Sequence, residues 1–251
     1  MGERYPGYSC PRAVARFRPH APVSDVTVLL LHGGGFVSGS IADVEGIARA
    51  LAERLALSVV TPEYTLATEA SFPAAAEDAY AALRWAADRR RGVIVAGVEA
   101  GGNLAAVAAM MARDRGAPNV LAQVLVRPML DPSLTSASMR QLPEGARRAA
   151  KTCGACYRAY LPAAADRLHP YAAPASSMRL AGLAPALVLT GADDPLRDEA
   201  EGYAAKLIGA GVSTQVSRLA RIETAPNAWA LEALDAIAAF LAPLLARETK
   251  H

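Results

Sequence analysis

Histidine is scarce in this chain of 251 residues. The four are His20, His32, His169 and His251, so none lies between Pro170 and Lys250. Cysteine is scarcer still, with Cys10, Cys153 and Cys156 alone, which excludes a disulfide-stapled scaffold. Cys153 and Cys156 spell C-x-x-C, but no second pair supplies the other ligands of a zinc site and no thioredoxin-like context surrounds them. No metal, cofactor or redox role is expected. No apolar run reaches the roughly 18 residues of a membrane span. The first twenty residues carry neither the apolar stretch nor the small-residue cleavage site of a secretory signal. The net charge is only +2, with arginines scattered among acids and Arg89-Arg90-Arg91 placed at a solvated helix end. That balance argues against nucleic acid or anionic membrane as a partner. A cytoplasmic, reduced monomer or homodimer acting on a small molecule is the expectation.

What is present is apolar and periodic. Hydrophobic residues make up 53%, largely alanine, and the length suits one α/β domain with a large core. The continuous apolar run at 26–31 reads as a strand buried on both faces, and 57–61, 93–96, 122–126, 186–190 and 214–219 read as further strands, with 13–17 as a short edge strand. Helical patterns at 42–55, 74–87, 104–113, 146–160, 196–208 and 227–245 alternate with them. Leu231, Leu234, Ile237, Leu241 and Leu244 give the last helix a core stripe. Alternation of this kind predicts a mostly parallel, doubly wound sheet. The single domain covers 1–251, with 129–174 as a partial cap over the carboxyl edge of the sheet, where ligands bind in such folds.

Four motifs follow that frame. They are His32-Gly33-Gly34-Gly35-Phe36, Glu63-Tyr64-Thr65-Leu66-Ala67 with Phe72-Pro73-Ala74, Gly97-Val98-Glu99-Ala100-Gly101-Gly102-Asn103, and Asp194-Pro195-Leu196-Arg197-Asp198-Glu199. In order and spacing they resemble the hormone-sensitive-lipase-type esterases of the α/β-hydrolase fold, with a shorter segment ahead of the glycine motif. The third motif has the strand, glycine-flanked turn and helix on which such enzymes present a serine. Here Glu99 stands at the serine position. The resemblance places the triad aspartate at Asp194 and the histidine at Thr224, or within a residue or two of it. Two of the three reactive positions are therefore replaced, which excludes ordinary Ser/His ester hydrolysis. The resemblance also implies that the backbone N–H groups of Gly34, Gly35 and Ala100 still form an oxyanion hole.

Three readings of Glu99 follow. It is the relic of a catalytically inactive ligand-binding protein, a covalent nucleophile, or a general base facing the oxyanion hole. A nucleophile would need a base to activate water for its release, and the histidine is missing. A base beside an oxyanion hole is what proton abstraction next to a carbonyl requires, and a carboxylate in an apolar pocket gains basicity. The third reading uses both what is kept and what is changed. It points to a cofactor-free lyase that eliminates acetate from an acetylated, polyketide-like intermediate, with Asp194 tuning Glu99. The acetate-eliminating lyases of spirotetronate biosynthesis are similar esterase-like proteins. A cyclase or isomerase could use the same parts. His32, Phe36, Arg127, Tyr157 and Thr224 are the candidate substrate-binding residues, Arg127 through an ion pair with Glu99, Asp194 or an anionic substrate. Met129 and Tyr160 could add apolar lining, Tyr64 reads as structural, and Asp198 as a helix first-turn acid.

Overall fold

Strands made wholly of apolar residues need cover on both faces, and the sheet has it. The computed structural model describes residues 3–8, 11–88, 92–140, 144–225 and 227–248. In chain order the strands are β1 (Arg4–Pro6), β2 (Pro11–Phe17), β3 (Thr27–Leu31), β4 (Ser58–Pro62), β5 (Val93–Val98), β6 (Val120–Val126), β7 (Ala186–Gly191), β8 (Thr214–Leu219), β9 (Glu223–Ala225) and β10 (Ala228–Trp229). The helices are α1 (Glu45–Leu55), α2 (Ala74–Ala87), α3 (Ala100–Arg115), α4 (Ala137–Arg140), α5 (Glu144–Tyr160), α6 (Arg197–Gly209) and α7 (Leu231–Glu248). The eight-stranded sheet runs β1-β2-β4-β3-β5-β6-β7-β8. From β4 to β8 every neighbouring pair is parallel, while β2 lies antiparallel to β4 and to β1. Helices α2, α3 and α6 cover one face, and α1 with α7 the other. This is the α/β-hydrolase architecture. Among the described residues no helix is long and apolar enough to cross a membrane.

The departures from expectation have tertiary causes. The strand expected at the edge is not the edge, because β1 pairs outside it and buried Tyr5 donates to the Glu63 carbonyl at 2.5 Å. The last helix begins at Leu231 rather than Asn227. Asn227, at φ 59°, instead turns the β9–β10 hairpin, and its side-chain oxygen accepts the first N–H groups of α1, from Gly46 at 2.9 Å and Ile47 at 3.3 Å. A polar side chain so placed satisfies donors that a helix start leaves free.

Helix α3 starts at Ala100, four residues before the apolar period announces it. Its glycines are there for contact, not for flexibility. A Cβ on Gly97 would lie 2.0 Å from the Gly101 carbonyl oxygen, and one on Gly101 would lie 2.2 Å from that of Leu31. Strand and helix can pack this closely only without side chains at those points. We expect Gly97→Ala to lower unfolding stability by on the order of 3 kcal/mol, as overpacking does. Urea denaturation would measure it, and a variant as stable as the parent would contradict the close-packing account.

Candidate functional site

Five parallel strands deliver one segment each to the same end of the sheet. β3 leads into the glycine loop, β5 into Glu99, β6 into Arg127, β7 into Asp193 and Asp194, and β8 into Ala220, Arg221, Ile222 and Glu223. Together with α5 they line a cavity of about 820 Å³, whose polar wall includes Glu99, Arg127, Asp193, Asp194, Arg221 and Glu223, with Gly34 and Gly35 beside them.

Glu99 sits at φ 51° and ψ −112°, a conformation costing a side-chain-bearing residue about 1–3 kcal/mol. The turn is held on both sides. Its N–H donates to the Val126 carbonyl at 3.0 Å, and its own carbonyl accepts from Asn103 at 3.1 Å and Met129 at 3.0 Å. Over-determination of this kind fixes where any residue at position 99 points. The N–H groups of Gly34, Gly35 and Ala100 donate to no protein acceptor among the described residues, and the two glycines line the cavity. Free amides beside a fixed side chain are the parts of an oxyanion hole.

Arg127 defines the electrostatics. Its Nη2 donates to Glu99 Oε1, its Nε lies 3.1 Å from Asp194 Oδ2, and its Nη1 lies 3.5 Å from Glu223 Oε1. The contact with Asp194 is Coulombic, since neither Nε nor Oδ2 has a well-aimed hydrogen bond. Burial works against the guanidinium charge, but Asp194, Glu99 and Glu223 outweigh it and hold the proton more firmly. Burial raises the Asp194 carboxyl above its ordinary range against the pull of Arg127 and of the Leu196 N–H. Arg127 thus bridges the elbow residue and the aspartate, as an imidazole does in a triad. Unlike an imidazole it is permanently protonated and cannot accept a proton.

Several expectations are corrected by this geometry. Glu99 does not face an apolar surrounding, because a guanidinium holds one of its oxygens. The other, Oε2, is directed to the glycine loop, 3.2 Å from where a Cβ of Gly33 would be. His32, Phe36 and Tyr157 do not line the cavity. His32 is fully buried and stacked on Tyr64 with ring centroids 4.1 Å apart, its Nδ1 donating to the Gly33 carbonyl at 2.8 Å. Burial lowers its pKa, so the ring stays neutral. Phe36 turns at φ 68° and stacks on Tyr160 at 3.9 Å, with Tyr157 tilted against it at 5.9 Å. These rings form the packed floor that carries the glycine loop and α5. Thr224 lies in β9 next to Glu223, and its side chain falls outside the described residues. Met129 lines the cavity, Tyr64 donates to the His32 carbonyl at 3.0 Å, and Asp198 opens α6.

Two cavity thiols and an acid behind them escaped the sequence reading of the site. Cys153 and Cys156 both line the cavity. Their spacing of three residues on a helix was the available signal, since it puts both on one face. Burial, then Glu199, push the Cys153 thiol up to about 12. Among the described residues no group of three or more His, Cys, Asp or Glu side chains could hold a metal ion.

Comparison with known proteins follows the same outline. A family model described as the alpha/beta hydrolase fold matches residues 28–222. Esterase LipI of Mycobacterium tuberculosis is 39% identical over 201 residues, 75% of this chain and 62% of its own length. The ethyl acetate hydrolase of Pseudomonas putida is 32% identical over 205 residues, 78% of this chain and 64% of its own. The chain therefore spans less than two thirds of either relative. The solved hyperthermophilic esterase of Pyrobaculum calidifontis superposes with a TM-score of 0.87 at 36% identity, covering 98% of this chain and 85% of that one.

Glu199, on α6 behind the cavity, gives a pH test of the structure. Its Oε1 accepts the N–H groups of Leu130 at 2.7 Å and Asp131 at 3.3 Å, while Oε2 is buried without a partner. Burial lifts its pKa to about 8. The native state therefore binds a proton that the unfolded chain has lost, and stability falls as pH rises from the ordinary carboxylate range to about 8. A glutamine keeps an oxygen for both N–H groups and cannot ionise. We expect Glu199→Gln to match the parent near pH 5 and to exceed it at pH 9. The gap should open by up to about 1.4 kcal/mol per pH unit, read from urea melts. Parallel pH profiles would show that Glu199 is not the buried acid described.

Proposed function

The chain belongs to the hormone-sensitive-lipase-type α/β-hydrolase family, and on that footing we propose that it is a non-hydrolytic member, a cofactor-free lyase that expels acetate from an acetylated substrate. The observation that carries this reading is the joint replacement at the site. The oxyanion amides are kept, a carboxylate takes the nucleophile's place, and a guanidinium bridges that carboxylate to Asp194 where a proton-accepting imidazole would be needed for hydrolysis.

In the proposed reaction the substrate carbonyl oxygen rests on the Gly34, Gly35 and Ala100 amides. Glu99 Oε2, the oxygen left free by Arg127, takes the proton from the carbon next to that carbonyl. The C–H pair forms the enolate, whose negative charge the amides stabilise. The enolate then re-forms the carbonyl, a C=C bond appears, and the C–O bond to acetate breaks. Acetate leaves as an anion and needs no acid. Arg127 takes no part in proton transfer; it fixes the Glu99 side chain. Asp194 and Glu223 occupy its remaining contacts.

The name of the Pseudomonas relative, an ethyl acetate hydrolase, supports a pocket descended from one for a small acetyl ester. A polyketide-like substrate, as in the spirotetronate lyases, is part of the proposal. Ring closure or isomerisation through the same enolate is the neighbouring alternative. The tethering of Glu99 by Arg127 is the observation that favours a silent binding protein instead.

A simple β-acetoxy ketone separates these readings. The parent should release acetate and an enone, and Glu99→Gln should slow this by about 10²–10⁴-fold. Turnover that is unchanged in Glu99→Gln would remove Glu99 from the mechanism, and no turnover at all would favour the binding protein.

A further inference from the structure

The C-x-x-C pair plays no part in the elimination, yet it faces the same cavity. Cys153 and Cys156 are free thiols on the inner side of α5. Cys156 is the better placed of the two. It is 7% exposed, and its sulfur rests on the glycine loop, 2.5 Å from where a Cβ of Gly35 would be. A side chain at position 35 would displace that sulfur. Burial, and then the charge of Glu99, raise the pKa of this thiol. Glu99 Oε2 and the Cys156 sulfur both lie against the glycine loop, at Gly33 and Gly35, one from the sheet and one from α5.

We propose that Cys156 is a nucleophile carried on the cap instead of the elbow, taking an acyl group from an activated ester whose carbonyl oxygen sits on the Gly34, Gly35 and Ala100 amides, with Glu99 as its base. The sulfur lone pair forms the S–C bond while the carbonyl π pair moves to the oxygen held by the amides. The thiol proton passes to Glu99 Oε2. Collapse of the intermediate re-forms the carbonyl and breaks the bond to the alkoxy oxygen, which leaves with the proton from Glu99. A thioester on Cys156 and a free alcohol are the products, and no oxidant, reductant or metal takes part. A protonated resting thiol is compatible with this, because a general base removes the proton during attack. The acylation needs no proton next to the carbonyl, so it stands or falls separately from the elimination.

The test uses the full chain and p-nitrophenyl acetate, with nitrophenolate release followed optically and acetyl groups located by peptide mass mapping. We expect a burst approaching one nitrophenolate per chain, with the acetyl group on Cys156. Glu99→Gln should slow its formation by about a hundredfold. Acetylation that misses Cys156, spreads evenly over lysines and the other cysteines, or proceeds equally fast in Glu99→Gln would overturn the proposal. Should that variant not fold, Cys156→Ala decides. Loss of the one-per-chain burst is expected, and a burst of undiminished size would overturn the proposal.

Discussion

One guanidinium holds this site together. Glu99, Asp194 and Glu223 come from the ends of three different strands, and each carries a negative charge towards the same few ångströms of cavity wall. Without a cation among them, their mutual repulsion and the cost of burial would force protons onto some of them or push the loops apart. Arg127 removes that conflict, and it does so from a strained backbone of its own, at φ 46°. Its N–H donates to the Leu189 carbonyl at 2.9 Å, which ties the end of β6 to β7. The wall, the strand ends and the charge balance are one arrangement.

That arrangement also sets the limits on chemistry. In a hydrolytic triad the central cation exists only transiently, because the imidazole takes up a proton and returns it. A guanidinium holds its charge throughout. In the proposed chemistry, proton transfer therefore falls to the carboxylates and thiols, and the free amides of the glycine loop hold the substrate oxygen. Esterase relatives share the scaffold and most of the outline.

Much of the fold was legible in the sequence because the central strands β3, β5, β6 and β7 are dominated by apolar residues. β8, α2 and the run to β7 lie within a residue of where periodicity puts them. The start of α3 was not, since Gly101 and Gly102 weaken any helical signal and are explained by what they touch, Gly101 the Leu31 and His32 carbonyls and Gly102 Pro128. The identities at positions 99 and 194 were legible through their motifs. The inward turn of Phe36 and the burial of His32 were not, because a residue beside a glycine loop carries no mark of which side it faces. Cys156 was read as an idle motif for a similar reason. Its partner is the missing side chain of Gly35, and a vacancy leaves no pattern to read.

Asn227 reaches the first N–H groups of α1 across 181 positions of the chain. The hairpin it turns carries Glu223, the outermost of the three acids around Arg127. One wall of the cavity is therefore held by a contact between segments far apart in the sequence. The charge balance around Arg127 is in this sense a product of the tertiary fold, and no single element carries it.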